Sequence, residues 1–169
     1  MERMWSPWRS EYIDDFKEEK KDKSCVFCNA TTEDINSDKS LVIYRGEKVF
    51  TIMNLYPYNN GHLMVVPKRH ISKINEISPD EFIEITKQIT FATEALTKLY
   101  SPHGFNIGAN IGKAAGAGID THIHFHIIPR WNGDTNFMPV VGKVKVISHD
   151  ILKTKKDLIK IYKNFGKES

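Results

Sequence analysis

The chain has 169 residues, 40% of them apolar and 27% charged, which is enough for one packed domain and excludes a disordered chain. Its 24 basic and 21 acidic side chains leave a net charge of +3, too small to indicate nucleic acid as a partner, although small anionic substrates stay open. No run approaches the ~20 apolar residues of a membrane span, and the opening MERMWSPWRSEYIDDF has no apolar stretch of signal-peptide length. The sequence therefore reads as cytoplasmic, with neither a membrane nor nucleic acid as partner.

Residues 1–24 form an aromatic arm (Trp5, Trp8, Tyr12, Phe16) followed by a charged connector, KEEKKDKS at 17–24. The arm reads as a docking surface. Cys25-Val-Phe-Cys28 follows, and these are the chain's two cysteines. Without an export signal, this spacing points to metal binding or redox chemistry more than to a structural disulfide, and a zinc site would need two further ligands. Short β-like runs come next at 41–44, 49–54 and 62–67. The last two flank the turn-rich LYPYNNG and read as an antiparallel pair.

Ser78-Pro79-Asp80-Glu81 opens a helix expected to run to about Tyr100, with Ser78 as N-cap, Pro79 at the first position and Glu81 closing a capping box. Phe82, Ile85, Ile89, Leu96 and Leu99 should face a sheet. A strand at 105–111, a glycine-rich loop at 112–119 and a strand at 121–128 ending at Pro129 complete a domain over 25–147. A short strand at 143–147 and an amphipathic, Lys-rich helix from Asp150 to about Phe165 are expected near the end, the latter within a C-terminal segment 148–169 and with its lysines solvated. Strands and helices in this order imply an α+β fold, an antiparallel sheet with a long helix packed on one face.

Two glycine patterns fail as nucleotide loops. Gly108 to Lys113 is one residue short of a Walker loop and has Ala114 where the metal-binding Ser or Thr belongs, and Gly116-Ala-Gly118 lacks the third glycine of a dinucleotide fingerprint.

The seven histidines carry the chemistry. His122, His124 and His126 alternate with Ile123, Phe125 and Ile127, so on a strand all three imidazoles share one face and the apolar residues meet the long helix. At ~3.3 Å per residue, neighbouring histidines stand roughly 6.6 Å apart and the outer pair roughly 13 Å. A single metal holding all three is disfavoured, because zinc keeps its nitrogens at ~2.0–2.1 Å. An elongated ligand such as a phosphate chain, or a division of labour, fits better. Imidazole can act as nucleophile, acid, base or phosphate donor. His103 and His149 read as surface residues, and Trp131 as a packing residue.

HIHFHII at 122–128, CVFC at 25–28, NLYPYNNGHLMVVPKRH at 54–70, FNIGANIGKAAGAG at 105–118 and PRWNGDTNF at 129–137 resemble the histidine triad family of nucleotide hydrolases and transferases. With the MWSPWRSEY opening, the chain looks closest to the bacterial branch related to diadenosine tetraphosphate phosphorylase. The resemblance implies an enzyme that cleaves a nucleoside phosphate or dinucleoside polyphosphate at the α-phosphate, with His124 forming a nucleotidyl-histidine and His126 donating to the phosphate. The uridylyltransferase branch has glutamine at the latter position. By the same resemblance, His62 borders the site, Asn54 binds ribose, and Asn110 with Gly116 and Gly118 lies along the phosphates. Gly118-Ile119 stands where many members carry Ser, Thr or Gln, so loop backbone must replace a side-chain phosphate contact or the substrate differs. Members with an N-terminal C-x-x-C bind zinc, which here implies Cys25, Cys28, His70 and His122 around a closed structural site. A homodimer is also implied. Phosphorolysis in place of hydrolysis, a non-catalytic nucleotide-binding regulator and a zinc hydrolase are the rival readings.

Overall fold

Five strands, β1 (Val42–Arg45), β2 (Val49–Met53), β3 (Leu63–Pro67), β4 (Gly104–Gly108) and β5 (Phe125–Arg130), form one antiparallel sheet in the order β1-β2-β3-β5-β4. Among the described residues three α-helices accompany it: α1 (Val26–Ala30), α2 (Pro79–Tyr100) and α3 (Ile151–Tyr162). The computed structural model describes residues 25–135 and 149–164. The aromatic arm with its connector, the strand expected at 143–147 and Phe165 lie outside the described residues.

Alternation along β2 and β3 assigns each side chain to one of two buried faces. Val49, Met53, Leu63 and Val65 share one core with Ile127 of β5, with Ile85, Ala92, Ala95 and Leu96 of α2, and with Leu158 and Tyr162 of α3. Phe50, Ile52, Met64 and Val66 occupy the opposite face and pack against Phe27 and Ala30 of α1. Each such side chain, fully buried, stabilises the fold by ~1.5–3 kcal/mol. The α+β reading, with the long helix on one face, therefore holds. Both faces of the sheet are covered, and the histidine face lies beneath α1.

The start of α2 is as expected. Ser78 Oγ accepts from the Glu81 amide at 3.3 Å, and Glu81 accepts from the Ser78 amide at 2.8 Å. Its buried stripe differs at one position, because Phe82 is exposed. Glu81 takes the inward position, where Arg69 forms a two-pronged ion pair with both of its oxygens at 2.7 Å. Phe82 is the next residue, ~100° further round the helix. The solvated reading of the last helix also needs correction. Lys153, Lys156 and Lys160 are exposed, but Lys155 is 2% exposed and donates from Nζ to the Ser37 carbonyl at 2.6 Å.

The histidine segment departs most from expectation. β5 starts at Phe125, so His122, Ile123 and His124 precede the ladder, and Pro129 lies within the strand opposite Phe105. β3 ends at Pro67, which has no N–H to extend the ladder. The chain pairs elsewhere instead: the Ile123 amide donates to the Ile71 carbonyl at 2.7 Å, and His122 Nε2 lies 2.9 Å from the Pro67 carbonyl. Phe125 and Ile127 still face the α2 core as expected.

Candidate active site

His122, His124, His126 and His62 are all buried. His124 Nδ1 lies 2.9 Å from the His122 carbonyl oxygen. A carbonyl can only accept, so Nδ1 carries the proton and Nε2 keeps its lone pair. Burial pushes the His124 pKa below its ordinary value, only partly opposed by that hydrogen bond, which favours the neutral ring. An uncharged imidazole with a fixed tautomer and a free Nε2 is equipped to act as a nucleophile.

His126 is set in the opposite sense by a relay from the turn between β2 and β3. The Tyr58 amide donates to His62 Nδ1 at 3.0 Å, so a neutral His62 holds its proton on Nε2. That nitrogen is 2.9 Å from His126 Nδ1. His126 therefore accepts at Nδ1 and carries its proton on Nε2, as a donor. Asn54 Nδ2 also reaches His62 Nδ1 at 3.3 Å, and Asn54 Oδ1 accepts from the Tyr56 amide at 3.0 Å. The His124 and His126 rings meet edge-on, 4.8 Å apart at 78°. One ring thus offers a lone pair and its neighbour an N–H.

Sheet register brings the glycine-rich loop to this place. Gly108, the last residue of β4, pairs with His126, and the chain leaves the sheet there towards Asn110. A single 3-10 turn, Lys113–Ala115, lies between Gly112 at φ 79° and Gly116 at φ 88°, a left-handed region that glycine enters without strain. Lys113 and Asp120 lie 3.7 Å apart across the loop, which then runs through Gly118 into His122. His124, His126, His62 and Asn54 are therefore directly assembled, while Asn110, Gly116 and Gly118 share the loop that starts beside His126.

A second cluster abuts the first. Ligand atoms of Cys25, Cys28, His70 and His122 all lie within 4.8 Å of one another. Cys25 Sγ is 3.3 Å and Cys28 Sγ 3.7 Å from His122 Nδ1, and Cys28 Sγ is 3.2 Å from His70 Nδ1. Ligands around a tetrahedral zinc ion stand ~3.3–3.8 Å apart, given bonds of ~2.0–2.3 Å. His122 directs Nε2 to the Pro67 carbonyl and so turns Nδ1 into the cluster, an outer-shell arrangement common to zinc-bound histidines. Burial raises the Cys25 pKa, but the His122 hydrogen bond and the Cys28 and Phe27 amides outweigh it and bring the thiol to about 6. Burial and the neighbouring Cys25 push Cys28 the other way. The donor set and its spacing fit zinc. Among the described residues no other group of histidine, cysteine and acidic side chains gathers in this way, and His124 and His126 are not part of it.

Some contributors escape a reading of the sequence. Phe27 lies between the two cysteines and packs against His122 and His124, at ring separations of 5.5 and 4.9 Å. Its place inside C-x-x-C was the one available signal. Asp134 ties the turn between β2 and β3 to the end of β5: it accepts from Arg130 Nε at 2.6 Å, from Asn59 Nδ2 at 2.8 Å and from the Trp131 amide at 3.1 Å. Nothing in the local spacing announces that hub. His103 and His149 are exposed. Trp131 is half-buried and donates from its indole to the Tyr100 carbonyl at 3.3 Å, in keeping with a packing role.

Residues 36–133 match the HIT domain family. The chain is 37% identical over 150 residues to AP-4-A phosphorylase from Mycobacterium tuberculosis, covering 87% of this chain and 77% of that protein. It is 32% identical over 95 residues to bis(5'-nucleosyl)-tetraphosphatase [asymmetrical] from Schizosaccharomyces pombe, covering 56% of this chain and 52% of that one. A crystal structure of a Zn-bound histidine triad family protein from Mycobacterium smegmatis superposes with a TM-score of 0.66 at 26% identity, covering 86% of this chain and 98% of that one. With the triad geometry and these likenesses together, the chain belongs to the histidine triad (HIT) family.

Proposed function

We propose that the protein is a nucleotide-binding hydrolase or nucleotidyltransferase that cleaves a nucleoside phosphate or dinucleoside polyphosphate at the α-phosphate. The observation that carries this is the edge-on pairing of the His124 and His126 rings at 4.8 Å, whose hydrogen bonds assign them opposed tautomers. His124 Nε2 attacks the α-phosphorus, a P–N bond forms and the P–O bond to the leaving phosphate breaks. His126 Nε2–H donates to the phosphate oxygens as charge develops there. Water or another acceptor then attacks the nucleotidyl-His124, breaking the P–N bond and restoring the imidazole. Asn54 is assigned to the ribose, and the loop carrying Asn110, Gly116 and Gly118 to the phosphates, where its amides approach an anion without a side-chain hydroxyl.

The second reading is phosphorolysis, favoured by the AP-4-A phosphorylase name of the M. tuberculosis relative. Diadenosine tetraphosphate separates the two. Attack at the α-phosphate releases ATP in both cases. Orthophosphate then yields ADP, whereas water yields AMP. Tight AMP binding with no turnover of any nucleotide would instead indicate a binding regulator.

Zinc held by Cys25, Cys28, His70 and His122 would supply a closed cross-link between α1 and the segment leading into β5. That role is structural, since four protein ligands leave no open position. A homodimer is in keeping with β4, a sheet-edge strand that leaves Ile107 about half exposed. No helix among the described residues is long and apolar enough to cross a membrane. We assign the protein to the cytoplasm, in keeping with Cys25 and Cys28, which are not joined in a disulfide.

A further inference from the structure

His124 is buried, yet among the described residues one hydrogen bond fixes its ring, the one from Nδ1 to the His122 carbonyl. A single bond leaves the imidazole free to rock about that contact, and packing must fix the rest. On one side stands the His126 ring at 4.8 Å. Among the described residues Phe27 is the other ring against it, with ring centroids 4.9 Å apart and planes inclined at 47°. Phe27 is 2% exposed and packs with Phe50, Ile52, Met64 and Val66 on the histidine face of the sheet. It lies between Cys25 and Cys28, whose sulfurs face His122 and His70, and it meets the His122 ring edge-on at 76°. The phenyl ring therefore meets the His122 ring of the cysteine cluster and also bears on the nucleophile itself.

We infer that Phe27 is a positioning residue for His124, confining its imidazole to the orientation in which Nδ1–H meets the His122 carbonyl and Nε2 keeps its lone pair for attack. The inference rests on His124 as the nucleophile under the proposed function. Phe27 touches no reacting atom in this account. It acts by excluding ring orientations that would point Nε2 away or release Nδ1 from its carbonyl. Misplacement of a reacting group by ~1 Å costs up to about 100-fold in rate.

The test compares the zinc-loaded wild type with Phe27→Leu and Phe27→Ala at equal zinc content. In protein labelled with nitrogen-15 at histidine, two-bond nitrogen–proton correlation at pH 7.5 reports the tautomer of each ring. Wild-type His124 should show the Nδ1–H form alone. Phe27→Leu should show a mixture or exchange broadening at His124, with His126 unchanged. Turnover of diadenosine tetraphosphate should fall on the order of 10-fold in kcat for Phe27→Leu and more for Phe27→Ala, with little change in KM. A His124 signal identical to wild type in Phe27→Leu overturns the inference, as does a rise in KM at unchanged kcat, which would make Phe27 a substrate-binding wall. If the wild type turns over no nucleotide, the proposed function fails and the tautomer spectra still decide the role of Phe27. Should Phe27→Ala fail to fold, Phe27→Leu, with its smaller loss of volume, carries both measurements.

Discussion

His124 Nδ1 lies 2.9 Å from the backbone carbonyl of His122, and the His122 ring, with that of His70, enters the cysteine cluster. One residue thus serves two sites, its side chain facing the cysteines and its backbone fixing the tautomer of the next histidine. The His124 ring reaches back two residues to that carbonyl, so the two sites meet at His122.

The nucleophile assignment predicts a separation of binding from chemistry. His124→Ala should lose at least about a thousandfold in turnover of diadenosine tetraphosphate. Its affinity for AMP, measured by calorimetry, should stay within about threefold of wild type. Full turnover in this variant would remove His124 from the mechanism.

His62 should matter through His126. With His62→Ala the proton on His126 is no longer directed to Nε2, and kcat should fall roughly 10–100-fold, a part of what a positioned proton donor contributes. Steady-state kinetics should show KM nearly constant. A large rise in KM with kcat preserved would place His62 in substrate binding alone.

Metal content provides an independent prediction. Protein purified without chelator should carry about one zinc per chain, and removing it should lower the melting temperature on the order of 5–10 °C. His70→Ala should reproduce the loss, since it removes one ligand while leaving His122 and His124 in place. Zinc-free protein with an unchanged melting temperature would show that the cluster holds no structural metal.

Away from the site, Glu81 sets an acid limit on stability. The Arg69 hydrogen bond, and then the Ser78 contacts, take its pKa from the ordinary 4.5 down to about 2 despite burial. A lowered folded pKa contributes stability that is fully present above the unfolded value and is lost as pH falls through the folded one. Stability should therefore decline between about pH 5 and pH 2. Denaturant titrations of Glu81→Gln should show a shallower decline across that window, and Glu81→Ala should cost about 1–3 kcal/mol at pH 7. An identical pH profile for Glu81→Gln would remove this ion pair as the cause.

How legible each feature was depended on how local its cause is. The capping box of α2 and the antiparallel pairing of β2 with β3 follow from neighbours in sequence, and both were readable. The shared face of the three histidines was readable from period-two alternation. That they do not all lie in a strand was not, because the reason sits at Pro67, 55 residues from His122. Phe82 was misplaced for a related reason. Periodicity weighs apolarity alone, whereas the inward position went to Glu81, whose partner Arg69 lies before the helix. The tautomer relay needed the Tyr58 amide, and a backbone donor leaves no mark in residue identity. Lys155 likewise looked like one more solvated lysine until the Ser37 carbonyl, 118 residues away, proved to be its acceptor.

The central claim is that nucleotide passes through a covalent bond to His124, and acid-sparing quench followed by peptide mass spectrometry tests it directly. During turnover of diadenosine tetraphosphate, an adenylyl group should appear on the peptide that contains His124 and be absent from the same peptide in His124→Ala. Steady turnover with no adenylylated peptide at any quench time, or an adenylyl group on another residue, would contradict the account.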